Sequence, residues 1–265
     1  MDNRPVGVLD SGLGGLTGMK ALRELLPEEN VVYFADSGRL PYGEKTAAQV
    51  RRMAGQNLAL MASQGVKAIL VACGTISSNA PDLLEQSPIP AFGVLHSSMR
   101  AMAHVPGRGP LGIIATEASI RSGRFEQALR ETCPGREILA VACPDFVPLI
   151  ESGHCGREDP LVRAAVANYL APLRGADAVL LGCTHYGIIG EAIGDFLGEG
   201  TALVSAAESG AAALCEYLIK NDLRGQGGGE RFLTSGRAED FTAAASTFLG
   251  RPLAGRVEAL PVMEV

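Results

Sequence analysis

The sequence predicts an α/β protein of two pseudo-symmetric lobes, each a parallel sheet flanked by helices, with the active site in the cleft between them. Two short runs carry the prediction. Residues 68–73 read Ala-Ile-Leu-Val-Ala-Cys, and residues 178–183 read Ala-Val-Leu-Leu-Gly-Cys. Each ends in a polar turn with a threonine, Cys73-Gly74-Thr75 and Cys183-Thr184-His185, as expected of strands buried on both faces of a parallel sheet. The preceding helix repeats as well. Val50, Met53, Ala54, Asn57, Leu58 and Met61 lie on one helical face, and Val162, Ala165, Val166, Tyr169, Leu170 and Leu173 repeat that spacing. A helix, a strand and a terminal cysteine recurring together indicate a duplicated unit.

Strands are predicted at 6–10, 31–35, 68–72, 90–94, 111–115, 137–142, 178–182 and 201–204, with helices between most of them. Val6-Gly7-Val8-Leu9 matches Leu111-Gly112-Ile113-Ile114, with polar exits at Asp10-Ser11 and Ala115-Thr116. The run from Asp10 to Leu16, Asp-Ser-Gly-Leu-Gly-Gly-Leu, leaves a strand and opens a helix whose free N–H groups suit an anion. It is not a dinucleotide fingerprint, because the third glycine would fall at Thr17, and the Gly-Lys-Ser/Thr of a Walker A loop is absent. Asp10 itself reads equally as a helix cap or as a functional carboxylate. In the segment Tyr33 to Gly43, Pro41 and Gly43 fix the backbone around Tyr42; alone it is also consistent with a surface turn. Gly107-Arg108-Gly109-Pro110 reads as the turn into the second unit, and Gly225 to Gly229 as a flexible, exposed loop. A strand at 231–234, a helix at 238–249 and a strand near 257–262 follow. Lobe one is expected to be 1–95 plus 208–265, and lobe two 96–207.

Composition excludes several classes. The 265 residues are 47% hydrophobic and 20% charged, with a net charge of −6, which argues against a nucleic-acid partner. No apolar run approaches the roughly 20 residues that span a bilayer. Met1 to Pro5 leads almost directly into a strand without a signal-peptide core, so a cytoplasmic protein is expected. The six cysteines form no disulfide framework and no CxxC pair. Cys133, Cys143, Cys155 and Cys215 read as structural or incidental. His154-Cys155 and Cys183-Thr184-His185 each lack the second ligand pair of a zinc site, so no metal is expected.

In open parallel sheets, chemistry gathers at the carboxyl ends of the strands. Cys73 and Cys183 hold equivalent places there, one in each unit. A free thiol titrates near 8.5, and a neighbouring proton acceptor or helix start brings it toward neutrality for about 1–2 kcal/mol. His185 would share a face with Cys183 if the strand continued, and Asp10 ends a strand expected beside that of Cys73. Bases on opposite sides of one stereocentre suit racemisation, in which one takes a proton and the other returns one. No pyridoxal lysine or flavin motif occurs, so the chemistry would need no cofactor.

These motifs resemble the glutamate racemases of the aspartate/glutamate racemase superfamily. The matching segments are Asp10 to Thr17, Tyr33 to Gly43, Ala72-Cys73-Gly74-Thr75, Pro148 to Gly153 and Gly182-Cys183-Thr184-His185-Tyr186. The similarity spans nearly the whole chain. It implies that Cys73 and Cys183 are the two bases, that Asp10 assists Cys73, and that His185, with Glu151 nearby, assists Cys183. Asp10, Ser11, Tyr42, Gly43, Gly74, Thr75, Ser119, Thr184 and His185 would then contact the substrate. It also implies a homodimer that makes D-glutamate from L-glutamate for peptidoglycan. Three departures bear on substrate choice. Gly74 stands where the family usually has asparagine, which removes an amide or makes room for another substituent. His96-Ser97-Ser98 replaces an acidic-Pro-Gly-like segment, and Glu117-Ala118-Ser119 stands where Gly-Thr is common. A racemase of another acidic or related amino acid, or a non-catalytic ligand-binding homologue, is therefore kept as an alternative.

Overall fold

The computed structural model describes residues 1–264. The chain begins β1 (Val6–Asp10), α1 (Leu16–Leu25), β2 (Val31–Ala35), α2 (Ala47–Ser63), β3 (Ala68–Val71), α3 (Gly74–Asn79), α4 (Pro81–Glu85) and β4 (Ala91–Gly93). It continues with α5 (Val94–Ala103), β5 (Leu111–Ala115), α6 (Glu117–Arg121), α7 (Arg124–Thr132), β6 (Ile138–Ala142), α8 (Phe146–Glu151), α9 (Pro160–Leu170) and β7 (Ala178–Leu181). Last come α10 (Gly190–Leu197), β8 (Ala202–Ser205), α11 (Ala206–Lys220), β9 (Glu230–Thr234), α12 (Ala238–Leu249) and β10 (Val257–Ala259).

All strand pairs are parallel. One sheet has the order β10-β9-β2-β1-β3-β4 and the other β6-β5-β7-β8. The duplication is visible in this topology, because β2-β1-β3-β4 and β6-β5-β7-β8 are the same arrangement. The exits match bond for bond. Ala72 N donates to Leu9 O at 2.9 Å and Gly182 N to Ile114 O at 2.8 Å; Asp36 N donates to Asp10 O and Cys143 N to Ala115 O, both at 3.0 Å. Each thiol therefore leaves its sheet beside a central strand. β9 and β10 extend only the first sheet.

Strands β1, β3, β5 and β7 are buried along their whole length, the reason they read as unbroken apolar runs. Helix α2 starts with a capping box, Thr46 with Gln49, and buries the face of Val50, Met53, Ala54, Asn57, Leu58 and Met61. Its counterpart α9 stops at Leu170, short of the periodicity that reaches Leu173. Pro172 lacks an N–H for the helical ladder, so residues Ala171–Leu173 form a single 3₁₀ turn instead. The largest apolar cluster runs from α1 and α12 through α11 to α8, α9 and α10, joining the helices of both sheets.

The loop at 225–229 is exposed except at the buried Gly225, and it is tied down. Gly225 N donates to Glu29 Oε2 at 2.9 Å, Gly228 N to Glu28 O at 2.9 Å, and Gly229 N to Asn30 Oδ1 at 3.0 Å. Glu29 is buried against Lys67 at 2.6 Å, and Lys67 also donates to Asp2 O. The expected flexibility is thus replaced by a clamp at the amino ends of β1–β3, away from the cleft. Among the described residues, no helix is long and apolar enough to cross a membrane.

Candidate active site

The carboxyl-end loops of the two sheets enclose a cavity of about 490 Å³. Both strand-end thiols line it, Cys73 and Cys183, 4% and 9% exposed. Ser11, Tyr42, Gly43, Gly74, Thr75, Glu151, Thr184 and His185 line it too. Two of the expected residues stand behind the lining. Asp10 is wholly buried, and Ser119 is buried with its Oγ accepting from Thr116 Oγ1 at 3.0 Å and donating toward Thr75 Oγ1 at 3.5 Å.

On the first side, Cys73 Sγ donates to Ser11 Oγ at 3.5 Å, so the direct partner of this thiol is a hydroxyl. Asp10 acts on Cys73 through its charge. The glycine turn after β1 wraps around that carboxylate. Gly12 N donates to Asp10 Oδ2 at 3.1 Å, and Tyr33 Oη donates to Gly12 O at 2.7 Å. Helix α1 is capped by Gly15 with no side-chain bond, so Asp10 is not a helix cap. Its Oδ1 is buried with no hydrogen-bond partner among the described residues. Burial pushes the Asp10 carboxyl up to about 6, against the pull of the His185 charge and the N–H groups of Gly12, Gly15 and Ser11. Burial, with the Asp10 charge added, pushes the Cys73 thiol up to about 12.

Asp10 therefore costs stability at neutral pH. A carboxyl raised on folding binds its proton more tightly in the native state, so stability present below the ordinary value of 3.8 is lost as pH rises through about 6. Asp10→Asn cannot ionise. Over that window the variant should gain on the wild type by up to ~3 kcal/mol, measured by urea unfolding of both proteins across pH. A difference that stays constant there would disprove the buried charge.

On the second side, the polypeptide turns sharply after β7. His185 is helical in backbone conformation and opens a 3₁₀ turn, so it does not share a strand face with Cys183. The turn brings the pair together instead, with His185 Nδ1 3.8 Å from Cys183 Sγ. His185 Nε2 lies 3.1 Å from Glu151 Oε1 at the end of α8, and the ring sits edge-on against Phe248 of α12 at 5.4 Å. Burial disfavours the imidazolium, but hydrogen bonds to Cys183 and Glu151 outweigh it and raise His185 to about 10. One sulfur therefore faces a cation and the other an anion.

Thr116, Glu117, Cys143 and Val147 also line the cavity, and none was expected as a site residue. Burial, with the Cys183 charge added, pushes the Cys143 thiol up to about 12. The signal for Cys143 lay in the duplication, since it follows β6 as Asp36 follows β2. Among the described residues, no Lys or Arg lines the cavity, and no group of three or more His, Cys, Asp or Glu is placed to hold a metal ion.

A model of the Asp/Glu/hydantoin racemase family matches residues 18–214. A glutamate racemase of Thermus thermophilus is 42% identical over 261 residues, covering 97% of this chain and 95% of that one. One from Beutenbergia cavernae is 38% identical over 268 residues, covering 94% and 91%. Among solved structures, glutamate racemase of Francisella tularensis in complex with D-glutamate superposes with a TM-score of 0.89, at 31% identity over 99% of both chains. Glutamate racemase of Thermus thermophilus in complex with β-chloro-D-alanine gives 0.88, at 38% identity over 99% of both chains.

Proposed function

The chain belongs to the Asp/Glu/hydantoin racemase family and is an amino-acid racemase, an isomerase; from that premise we propose that it interconverts L- and D-glutamate by direct proton transfer between two cysteines. The observation that carries this reading is the pair of thiols at equivalent exits of the two duplicated sheets, lining one cavity. In one direction, the Cys183 sulfur takes the α-proton from one face of the substrate, leaving its electron pair on the α-carbon. The Cys73 thiol returns a proton to the opposite face. The reverse reaction exchanges the roles, and nothing is oxidised or reduced.

The flanking groups fit these tasks. The His185 imidazolium, held by Glu151, balances negative charge at Cys183. Asp10 assists on the Cys73 side through its charge, and Ser11 is the hydroxyl bonded to that thiol. The hydroxyls of Ser11, Thr75, Thr116 and Thr184, with backbone N–H groups, would bind the carboxylates, and Ser119 would orient Thr75 and Thr116 from behind. Tyr42, Gly43 and Gly74 complete the wall. The family resemblance supports lobes of 1–95 plus 208–265 and 96–207, a homodimer, and a cytoplasmic supply of D-glutamate for peptidoglycan.

Proton NMR in D₂O with L-glutamate, paired with chiral analysis, tests the reaction. Loss of the α-proton signal together with D-glutamate formation, with no added cofactor, is the expected result. The rate should fall as pH drops through about 6, where Asp10 takes a proton, and as it rises through about 10, where His185 loses one. Silence with glutamate but turnover of aspartate or another amino acid in the same assay would reassign the substrate. Ligand-induced thermal stabilisation without α-proton exchange would indicate a binding protein.

A further inference from the structure

We propose that Gly74 is a positioning residue: having no side chain, it lets the Gly182 carbonyl of the opposite lobe seat against the first turn of α3, and this contact sets the cleft closure at which both thiols reach one α-carbon. The inference rests on the two-thiol reading above. A Cβ built on Gly74 would lie 1.9 Å from Gly182 O and 3.1 Å from Gly182 C. A carbon-to-oxygen contact needs about 3.3 Å, so any side chain at position 74 demands a retreat of about 1.4 Å. The missing side chain therefore opens no pocket for another substituent, because the carbonyl of the second lobe fills the place.

Neither backbone can make that retreat alone. Gly182 is hydrogen-bonded to Ile114 O at 2.8 Å and wedged in its own sheet, where even a methyl would meet Ile114 O at 3.0 Å and Ala115 Cβ at 3.2 Å. On the other side, Ala72 is bonded to Leu9 O at 2.9 Å, and Cys73 O accepts from Ser77 N at 3.0 Å. The movement must separate the two lobes. Other bonds along the same seam would stretch with it: Thr75 Oγ1 to Thr116 Oγ1 at 3.0 Å, Thr17 Oγ1 to Thr184 O at 3.2 Å, and Asn79 Nδ2 to Ala118 O at 3.4 Å. The contact also sits next to the chemistry, since Gly74 follows Cys73 and Gly182 precedes Cys183.

A two-base reaction is unusually sensitive to such a shift. One thiol still abstracts and returns a proton on its own face, but inversion needs both at once, and a misplacement near 1 Å can cost about 10²-fold. Gly74→Ala and Gly74→Asn are compared with the wild type in D₂O, following α-deuteration and inversion separately from L- and D-glutamate. Inversion should fall by about 10²-fold in both variants, while deuteration with retention falls much less, raising the exchange-to-inversion ratio at least ~10-fold. Asparagine, the residue usual in the family, should be no better than alanine. Gly55→Ala within α2, where a Cβ meets only Leu83 Cδ1 at 3.9 Å, should keep the wild-type rate and ratio.

Wild-type inversion by either Gly74 variant overturns the proposal. So does an equal fall of exchange and inversion, which a loss of binding or of folded protein would produce. Loss of cooperative unfolding by both variants also overturns it, because each lobe has its own sheet and closure should be dispensable for folding. If the wild type itself neither exchanges nor inverts, the two-thiol reading fails and the inference falls with it.

Discussion

Replacing Cys73 or Cys183 by serine is expected to lower glutamate racemisation by about 10²–10⁴-fold, the usual contribution of a positioned general acid or base. Serine preserves the shape of each site. At position 73 it also keeps a partner in Ser11, whose Oγ lies 3.5 Å from the sulfur, so the fold should be little changed. A hydroxyl, however, does not ionise appreciably near neutral pH and cannot take an α-proton as a thiolate does. The two variants should fail differently. Each retains one thiol and therefore exchanges the α-proton of one enantiomer without inverting it, and the preferred enantiomer should switch between Cys73→Ser and Cys183→Ser. Chiral analysis and deuterium incorporation, from each hand separately, give both readouts. Substantial racemisation by either variant would rule out the two-base assignment.

The largest effect on stability is expected at Asp36→Ala, outside the reacting groups. Asp36 is wholly buried after β2. Its Oδ2 accepts from Arg39 Nε at 2.7 Å, from Asn57 Nδ2 at 3.2 Å and from the Tyr42 hydroxyl, and its Oδ1 accepts from Ser235 Oγ at 2.7 Å. Removing the carboxylate leaves the Arg39 guanidinium, only 6% exposed, without its counter-charge. Breaking a buried pair in this way typically costs about 3–5 kcal/mol, which for a chain of this size lowers the thermal midpoint by roughly 10 °C. Tyr42 loses its anchor at the same time, so the Michaelis constant should rise even where the variant is folded. A loss below about 1 kcal/mol would show that Gln56, Asn57 and the Met263 carbonyl, the other partners of Arg39, hold it without the acid.

Much of this was legible from local pattern. Strands buried on both faces must be apolar throughout and must end where polar residues begin, so β1, β3, β5 and β7 and their exits were readable residue by residue. The duplication makes the two cysteines equivalent from sequence spacing alone. The limits of local pattern show in particular residues. Extending the strand puts His185 beside Cys183, whereas a 3₁₀ turn makes the contact. Cys143 reads as incidental on its own, because only its place after β6, equivalent to that of Asp36 after β2, points to the cavity it lines. Ser119 and Asp10 were expected at the surface of the cavity, and packing sets both behind it.

By itself the sequence determined the two α/β units, the strand ends that carry Cys73 and Cys183, and the family to which the chain is similar. These follow from periodicity and short motifs, which depend on neighbours along the chain. Only the tertiary structure decided that Ser11 is the hydrogen-bonding partner of Cys73, that Glu151 holds His185, and that the space beside Gly74 is filled by Gly182 O. Each of these joins residues far apart in sequence, and the last joins residues from different sheets. The first two depend on how the loops leaving neighbouring strands turn, and the last on how closely the two sheets approach, a distance set by the packing of both lobes at once.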